Sequence, residues 1–347
     1  MTATDTVEHT APLLEVTDLT VEFDTQGGTL RAVDEVSWAL HRGKTLVVLG
    51  ESGSGKSVST QAITGILDTP PGRVRAGSAL FDGQDLIAIP EKQRRRIIGS
   101  RISLVFQDAL SALNPVHTVG RQIAELYQVH RGMSRKDAMR RAADMLDRVG
   151  IPTARARVRD YPHEFSGGMR QRVMIAMALA LGPEVLIADE PTTALDVTVQ
   201  AQILELLEEI QQDSDMGVVL ITHDLGVAAE IADDLVIMYA GRVIESGPTP
   251  LVLGDPAHPY TQGLLRSMPS SEMKGLELPA IPGTPPNMLR LPTGCPFRPR
   301  CPKAIDLCAT ERPALRALSS GGPRKTACHL ADTLDTTETP SLAGGAS

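Results

Sequence analysis

The chain has 347 residues, which is room for one large domain or two ordinary ones, and 42 acidic against 34 basic residues give a formal net charge of −8. That charge argues against a general binder of nucleic acids. The best candidate for a membrane span, 173–181, is too short, and residues 1–10 contain no Lys or Arg, unlike a secretory signal. We therefore expect a cytosolic protein whose contact with any membrane is peripheral.

The first elements in chain order are strands. Residues 1–12 are predicted to be a flexible tail, and 14–23 then alternates apolar and polar side chains, as a half-buried strand does. A turn at 26–28 separates this strand from a second one at 30–40. A short, wholly apolar strand follows at 45–49. This order predicts an antiparallel β subdomain ahead of a parallel α/β core.

The segment after that apolar strand matches G-x-x-x-x-G-K-[ST], the phosphate-binding loop of nucleoside triphosphatases. The strand before it and a helix predicted over 57–67 give the motif the context it requires. Gly53 and Gly55 allow the tight turn that aims backbone N–H groups at phosphate oxygens. Lys56 supplies a charge for the β- and γ-phosphates, and the Ser57 hydroxyl is suited to Mg²⁺. The residues expected to contact the nucleotide here are Gly50, Glu51, Ser52, Gly53, Ser54, Gly55, Lys56, Ser57 and Val58.

The middle of the chain is predicted to be mostly helical. A strand at 101–107 precedes a loop at 111–120, and 134–149 has the amphipathic pattern of a helix that Ser134 caps. We expect about 109–170 to form a helical subdomain inserted into the α/β core.

Strands and helices alternate again after this insertion. Helices are predicted at 168–181 and 197–211, and strands at 185–188, 218–222, 235–239 and 242–245. Proline becomes dense beyond residue 247, so we expect the core domain to occupy 13–246 and an extension to occupy 247–330. The Thr-, Ser- and Gly-rich tail at 331–347 is predicted to be disordered.

Two acids follow the strand at 185–188. Asp189 is placed to hold Mg²⁺, directly or through a water, and Glu190 is then free to polarise an attacking water. Two such acids alone would be explained equally well by a structural turn. Together with the phosphate loop in a parallel sheet, they favour catalysis.

Three further features are weak when taken one by one. Ser166-Gly167-Gly168, directly before a helix, is a candidate second anion site, although an ordinary Ser N-cap would explain it as well. Gln107 and His223 each follow a predicted strand, where hydrogen-bonded polar residues are common.

The order of these features along the chain is specific. After the phosphate loop come Gln107, Phe-Ser-Gly-Gly-Met-Arg-Gln-Arg at 165–172, the acids, Ala-Leu-Asp at 194–196, and Ile-Thr-His-Asp at 221–224. This series resembles the ATPase subunit of ATP-binding-cassette (ABC) transporters, and the resemblance covers about 13–247. Phe165 and Met169 depart from the commonest signature, Leu-Ser-Gly-Gly-Gln. The sequence is instead similar to the dipeptide and oligopeptide importer branch.

The resemblance implies a fold of the phosphate-loop ATPase type and a head-to-tail pair of subunits that close on two ATP molecules. The signature residues of one subunit, Ser166 and Gly168 with Gly167 between them, would complete the site of the other. The resemblance also implies roles for single residues. These are Glu190 as general base, His223 at the γ-phosphate and water, Gln107 at Mg²⁺, Asp196 at the dimer seam and Phe23 on adenine.

All four cysteines lie in the predicted extension, which also contains a segment at 255–261 that looks like the extension of the same peptide-transporter branch. Gaps of five, six and nineteen residues separate Cys295, Cys301, Cys308 and Cys328. Zinc sites usually show C-x₂₋₄-C pairs, so these spacings favour a [4Fe–4S] cluster over Zn²⁺. Unligated thiols are the third alternative.

The leading functional hypothesis is an ATPase subunit that drives di- or oligopeptide uptake from the cytoplasmic face of the membrane. Its partners would be a second, non-identical ATPase subunit, two transmembrane permeases and a solute-binding protein, with no nucleic acid. The alternatives are the same role for nickel or another small solute, and a soluble ABC ATPase outside transport.

Overall fold

The computed structural model describes residues 11–108, 112–193, 195–268 and 280–334. The predicted tails at 1–12 and 331–347 lie almost wholly outside these ranges. Within the described part of the chain, no helix has both the length and the apolar character needed to cross a bilayer.

The residues that the structure describes form two sheets. The strands are β1 (Leu14–Thr25), β2 (Gly28–Leu40), β3 (Thr45–Leu49), β4 (Gly72–Phe81), β5 (Gln84–Asp85), β6 (Ile102–Val105), β7 (Val185–Asp189), β8 (Gly217–Thr222), β9 (Asp234–Tyr239), β10 (Arg242–Pro248), β11 (Arg316–Ala317) and β12 (Lys325–Thr326). One sheet is antiparallel, in the order β2-β1-β4-β5, and the other has the order β11-β12-β10-β9-β3-β8-β7-β6. The strands from β9 to β6 in the second order are parallel to one another.

Helices surround the larger sheet. They are α1 (Lys56–Thr64), α2 (Glu91–Ile97), α3 (Val119–Arg131), α4 (Arg135–Arg148), α5 (Ala154–Arg157), α6 (Gly167–Leu179), α7 (Val197–Ser214), α8 (Leu225–Ile231), α9 (Thr249–Gly254), α10 (Pro259–Arg266) and α11 (Leu307–Thr310). Single 3₁₀ turns occupy Pro162–Glu164 and Arg298–Arg300. Helices α3 to α6 lie between β6 and β7, which is where the sequence predicts a helical insertion.

The central strand β3 is buried on both faces. Val47 and Leu49 belong to the apolar cluster that includes the helical insertion, whereas Leu46 and Val48 belong to the cluster beneath the antiparallel sheet. Because side chains alternate along a strand, one five-residue strand joins both cores. This packing holds the carboxyl end of β3, where the phosphate loop begins, against both neighbouring layers.

Several helix boundaries differ from the sequence prediction, and two of the differences have a clear physical cause. Helix α1 ends at Thr64 and not at residue 67, because Gly65 adopts φ 74°, the left-handed conformation of a helix C-terminus. Helix α3 begins at Val119, inside the predicted loop, since the Thr118 side chain accepts a hydrogen bond from the Arg121 N–H and caps it.

The C-terminal extension adds to the main sheet. Strand β10 ends at Pro248, and β12 pairs with it through Glu245 opposite Thr326 and Ser246 opposite Lys325. The extension is therefore hydrogen-bonded to the edge of the core sheet and does not hang from it by a linker alone.

Candidate active site

The predicted catalytic residues meet at one edge of the main sheet. Strands β3, β6, β7 and β8 are parallel, so their carboxyl ends present the phosphate loop, Gln107, the two acids and His223 on the same side. A cavity of about 550 Å³ opens there. It is lined by Leu49, Gly50, Glu51, Ser52, Gly53, Ser54, Gly55, Lys56, Ser57, Val58, Gln107, Glu190, His223 and Leu264.

The phosphate loop depends on glycine at the position that starts α1. Gly55 has φ 100°, and a Cβ added there would lie 2.4 Å from the Ala32 carbonyl oxygen. Gly53 also has a positive φ, of 79°. Only glycine adopts such angles without strain, which confirms the predicted tight turn into the helix N-terminus.

Lys56 lies beneath the loop that it follows. Its ammonium group donates to the carbonyl oxygens of Gly50 at 2.7 Å and Glu51 at 3.0 Å, and only 5% of the residue is exposed. Burial lowers the pKa of Lys56, while the carboxylates of Glu190, Asp189 and Glu51 oppose that shift. The lysine charge is thus held at the floor of the cavity, where a phosphate would meet it.

Ser57, which lines the cavity, contacts Asp189 at the end of β7. The Ser57 hydroxyl donates to Asp189 Oδ1 at 2.9 Å, and burial raises the pKa of Asp189 even though this hydrogen bond lowers it. A half-buried hydroxyl and carboxylate supply the oxygen ligands that Mg²⁺ prefers beside nucleotide phosphates. The pair therefore fits the predicted Mg²⁺ site. Gln107, the third predicted ligand, bonds instead to Glu190.

Glu190 is fixed by three side chains. Its Oε2 accepts hydrogen bonds from the Gln107 amide at 3.1 Å and the Thr193 hydroxyl at 2.9 Å, and His223 Nδ1 lies 3.3 Å from Oε1. The backbone of Glu190 has φ 46°, which is uncommon for a non-glycine residue. Such a strained conformation next to a phosphate site is typical of catalytic positions.

Thr193 and Leu264 are site residues that the sequence analysis missed. Thr193 lies three residues after Glu190, and that short spacing was the available signal. Leu264 comes from α10 in the extension and lines the cavity. No local pattern indicates that contact.

The signature residues and Asp196 do not line this cavity. Ser166 caps α6 by accepting from the Met169 N–H, and Asp196 caps α7 by accepting from the Val199 N–H. A Cβ added to Gly168 would lie 2.6 Å from Val199 Cγ1. Gly168 is therefore required by the packing of α6 on α7 within this chain.

Phe23 does not line the cavity either. It pairs with Gly72 across β1 and β4, and its ring occupies the space where a Gly72 side chain would lie. Its predicted contact with adenine stays a prediction.

The four cysteines come from separated parts of the extension and line one small cavity together with His258 and Phe297. All four are free thiols, and burial raises the pKa of Cys295, Cys301 and Cys328, that of Cys328 to about 11. Across 11–108, 112–193, 195–268 and 280–334, no group of three or more Cys, His, Asp or Glu is close enough to hold a metal ion. The predicted metal site is thus not present as a preformed coordination geometry.

Two known families match separate parts of the chain. The family described as ABC transporter matches residues 33–193. The family described as oligopeptide/dipeptide transporter, C-terminal region, matches residues 244–308.

Curated relatives match over most of their length. The oligopeptide transport ATP-binding protein OppD of Salmonella typhimurium is 50% identical over 92% of this chain and 95% of its own. The dipeptide transport ATP-binding protein DppD of Escherichia coli K12 is 50% identical over 91% of this chain and 96% of its own.

Solved structures match the cassette portion. The dimeric post-hydrolysis ATP-binding cassette MJ0796, bound to ADP and Pi, has a TM-score of 0.61 and 27% identity, covering 68% of this chain and 98% of that one. The structure of cbiO1 from Clostridium perfringens has a TM-score of 0.59 and 29% identity, covering 70% of this chain and 91% of that one. These matches confirm the predicted ABC-type α/β fold and its ATPase chemistry. This chain belongs to the ABC transporter family, as an ATP-binding subunit of its oligopeptide and dipeptide branch.

Proposed function

We propose that this chain hydrolyses ATP to drive the import of di- or oligopeptides. The observation that carries the proposal is that one chain joins an ATP site containing Lys56, Asp189, Glu190 and His223 to a C-terminal region of the oligopeptide/dipeptide type. The names of the curated relatives support the same cargo class.

The geometry favours a separate role for each group of residues in the site. Backbone N–H groups of the phosphate loop and the Lys56 ammonium bind the phosphates, and Ser57 with Asp189 would hold Mg²⁺, which would neutralise phosphate charge. Glu190 takes the proton of the attacking water, since Gln107 and Thr193 hold its carboxylate in place. His223, beside the same carboxylate, orients the water and the γ-phosphate.

A second ATPase subunit would complete the site. Ser166, Gly167 and Gly168 begin α6 outside this chain's own cavity, which supports a role in a neighbour's site. Asp196, at the start of α7, would lie at the same seam. The dimeric state of MJ0796 supports such a pair. We propose a non-identical partner, two transmembrane permeases and a solute-binding protein, with this chain peripheral at the cytoplasmic face.

The test combines uptake with co-purification. Cells without this chain should lose uptake of labelled di- and oligopeptides, and wild-type protein should restore it while Glu190→Gln should not. Tagged protein from solubilised membranes should carry two permeases and a second ATPase. Loss of nickel uptake with intact peptide uptake would favour the nickel alternative. If the tagged protein purifies without any membrane protein, that result would favour a soluble ABC ATPase.

For the cysteine site we propose a [4Fe–4S] cluster held by Cys295, Cys301, Cys308 and Cys328. The donor chemistry fits, because four thiols from distant segments surround one cavity and four thiolates are the number a cluster requires. Burial raises the pKa of Cys295, Cys301 and Cys328, so their thiolates would form only with a metal present to balance their charge. Zinc is the competing occupant. The cluster would supply folding free energy to an extension with little regular structure.

Metal and sulfide analysis of protein purified without oxygen tests the cluster. About four irons with matching sulfide per chain would support it, and Cys328→Ser should then lose most of both. Stoichiometric zinc without iron, or protein free of metal, would overturn it.

A further inference from the structure

The C-terminal extension reaches the phosphate loop through Arg300. The Arg300 guanidinium forms a two-pronged ion pair with Glu51, Nη1 to Oε2 at 2.8 Å and Nη2 to Oε1 at 3.0 Å. This fork-to-carboxylate geometry is the strongest form of side-chain ion pair.

Arg300 is held in this orientation from its other side. Its Nε donates to the Pro282 carbonyl oxygen at 2.9 Å, and its guanidinium carbon lies 5.8 Å from the centre of the Tyr239 ring. Only 7% of Arg300 is exposed. A buried arginine with this many fixed contacts acts as a rigid support and not as a mobile surface charge.

A second residue of the extension holds the backbone of Glu51. The Glu51 N–H donates to the Tyr260 hydroxyl at 3.2 Å. Tyr260 is fully buried, with its ring 4.9 Å from that of Tyr239 and 5.4 Å from that of Phe297. The extension therefore fixes both the side chain and the main chain of one phosphate-loop residue.

The charge of Glu51 makes this contact relevant to nucleotide binding. Glu51 lines the same cavity as Lys56, and a free carboxylate there would repel a polyanionic ligand. Arg300 neutralises that carboxylate and holds it against the extension. Without Arg300, Glu51 would be free to pair with Lys56 instead, in competition with the phosphates.

We infer that Arg300 and Tyr260 are positioning residues of the ATP site, through which the C-terminal extension sets the nucleotide affinity of this chain. The inference rests on ATP binding at the phosphate loop, and it does not depend on the cargo. Arg300 and Tyr260 do not touch the reacting atoms. They act through Glu51.

The test measures equilibrium ATP binding to the full-length chain at low salt. Arg300→Gln should weaken binding about tenfold, because misplacement and charge act together, and Arg300→Lys should weaken it less. Glu51→Gln combined with Arg300→Gln should recover most of the affinity, since no unpaired carboxylate remains. Arg290→Gln makes the same chemical change at an exposed position of the extension and should have no effect.

The double variant separates electrostatic positioning from packing. If it binds ATP as weakly as Arg300→Gln alone, Arg300 only supports the fold and the inference fails. Raising the salt should shrink the defect of Arg300→Gln, and a defect independent of salt would count against the inference.

Should Arg300→Gln not fold, Tyr260→Phe removes one hydroxyl, and wild-type affinity in both that variant and Arg300→Lys would overturn the inference. Loss of binding in Lys56→Ala verifies the ATP site itself.

Discussion

The Gln107 side-chain amide donates to the Glu190 carboxylate at 3.1 Å, across 83 residues of sequence. Neighbouring parallel strands bring the two together, because Gln107 follows β6 and Glu190 follows β7. The residue expected to polarise water is thus tied to the segment that leads into the helical insertion.

Replacing Glu190 by Gln should separate binding from hydrolysis. The amide keeps the shape of the side chain but cannot take a proton, so ATP affinity should stay near the wild-type value while turnover falls at least about 100-fold. Turnover in the assembled transporter and equilibrium ATP binding are the two measurements. Lys56→Ala is the matched control, and it should lower the ATP affinity itself. Wild-type turnover by Glu190→Gln would remove Glu190 from its assigned role.

Replacing Asp189 by Asn should abolish the effect of Mg²⁺ on ATP binding. The Ser57–Asp189 pair supplies the oxygen ligands, and an amide is a poorer ligand for a hard cation. ATP affinity measured with Mg²⁺ and with EDTA should differ in the wild type and converge in the variant. An unchanged response to Mg²⁺ would place the ion elsewhere.

The two signature glycines should respond differently to alanine. Among the described residues, a Cβ at Gly167 would meet only Leu195 Cδ2, at 3.9 Å, whereas a Cβ at Gly168 would collide with Val199. Gly168→Ala should therefore lower the unfolding free energy of the isolated chain by about 1–3 kcal/mol. Gly167→Ala should leave thermal unfolding unchanged and reduce turnover only in the paired ATPases. Equal effects of both substitutions on unfolding would contradict this distinction.

The buried carboxyl of Glu245 should give the stability a dependence on pH. Burial raises the pKa of Glu245 from 4.5 to about 7, although it accepts hydrogen bonds from Thr261 and from the backbone of Ala257 and His258, and although Arg324 lies nearby. The folded state then binds this proton more tightly than the unfolded state. Its contribution is fully present below about pH 4.5 and is lost as the pH rises through about 7.

Thermal unfolding between pH 4.5 and 7.5 measures the contribution of Glu245 to the free energy of unfolding. The free-energy difference amounts to about 3 kcal/mol at most. Glu245→Gln should remove that part of the pH slope, whereas Glu91→Gln, at an exposed position of α2, should keep it. The same slope in wild type and Glu245→Gln would show that Glu245 folds in its ionised form.

The sequence predicts those parts of the site whose residues stand next to a recognisable strand or motif. The phosphate loop follows β3, and Asp189 and Glu190 stand at the carboxyl end of β7, so the parallel sheet alone brings them together. The start of α3 at Val119 was missed because Asn114-Pro115 indicates a loop and the Thr118 cap comes four residues later. The contact of Arg300 with Glu51 was missed for a different reason. Neither residue carries a local signal for the other, and only the folded extension brings them into contact.

The Glu51–Arg300 pair also has a consequence for the order of synthesis. Its two residues are 249 positions apart. At about 5–20 residues per second, the ribosome completes Arg300 roughly 12–50 s after Glu51. During that interval the nascent chain has its phosphate loop but lacks Arg300, whose positive charge neutralises the Glu51 carboxylate. Full nucleotide affinity should therefore arise only when the extension has docked, so that unfinished chains bind ATP poorly.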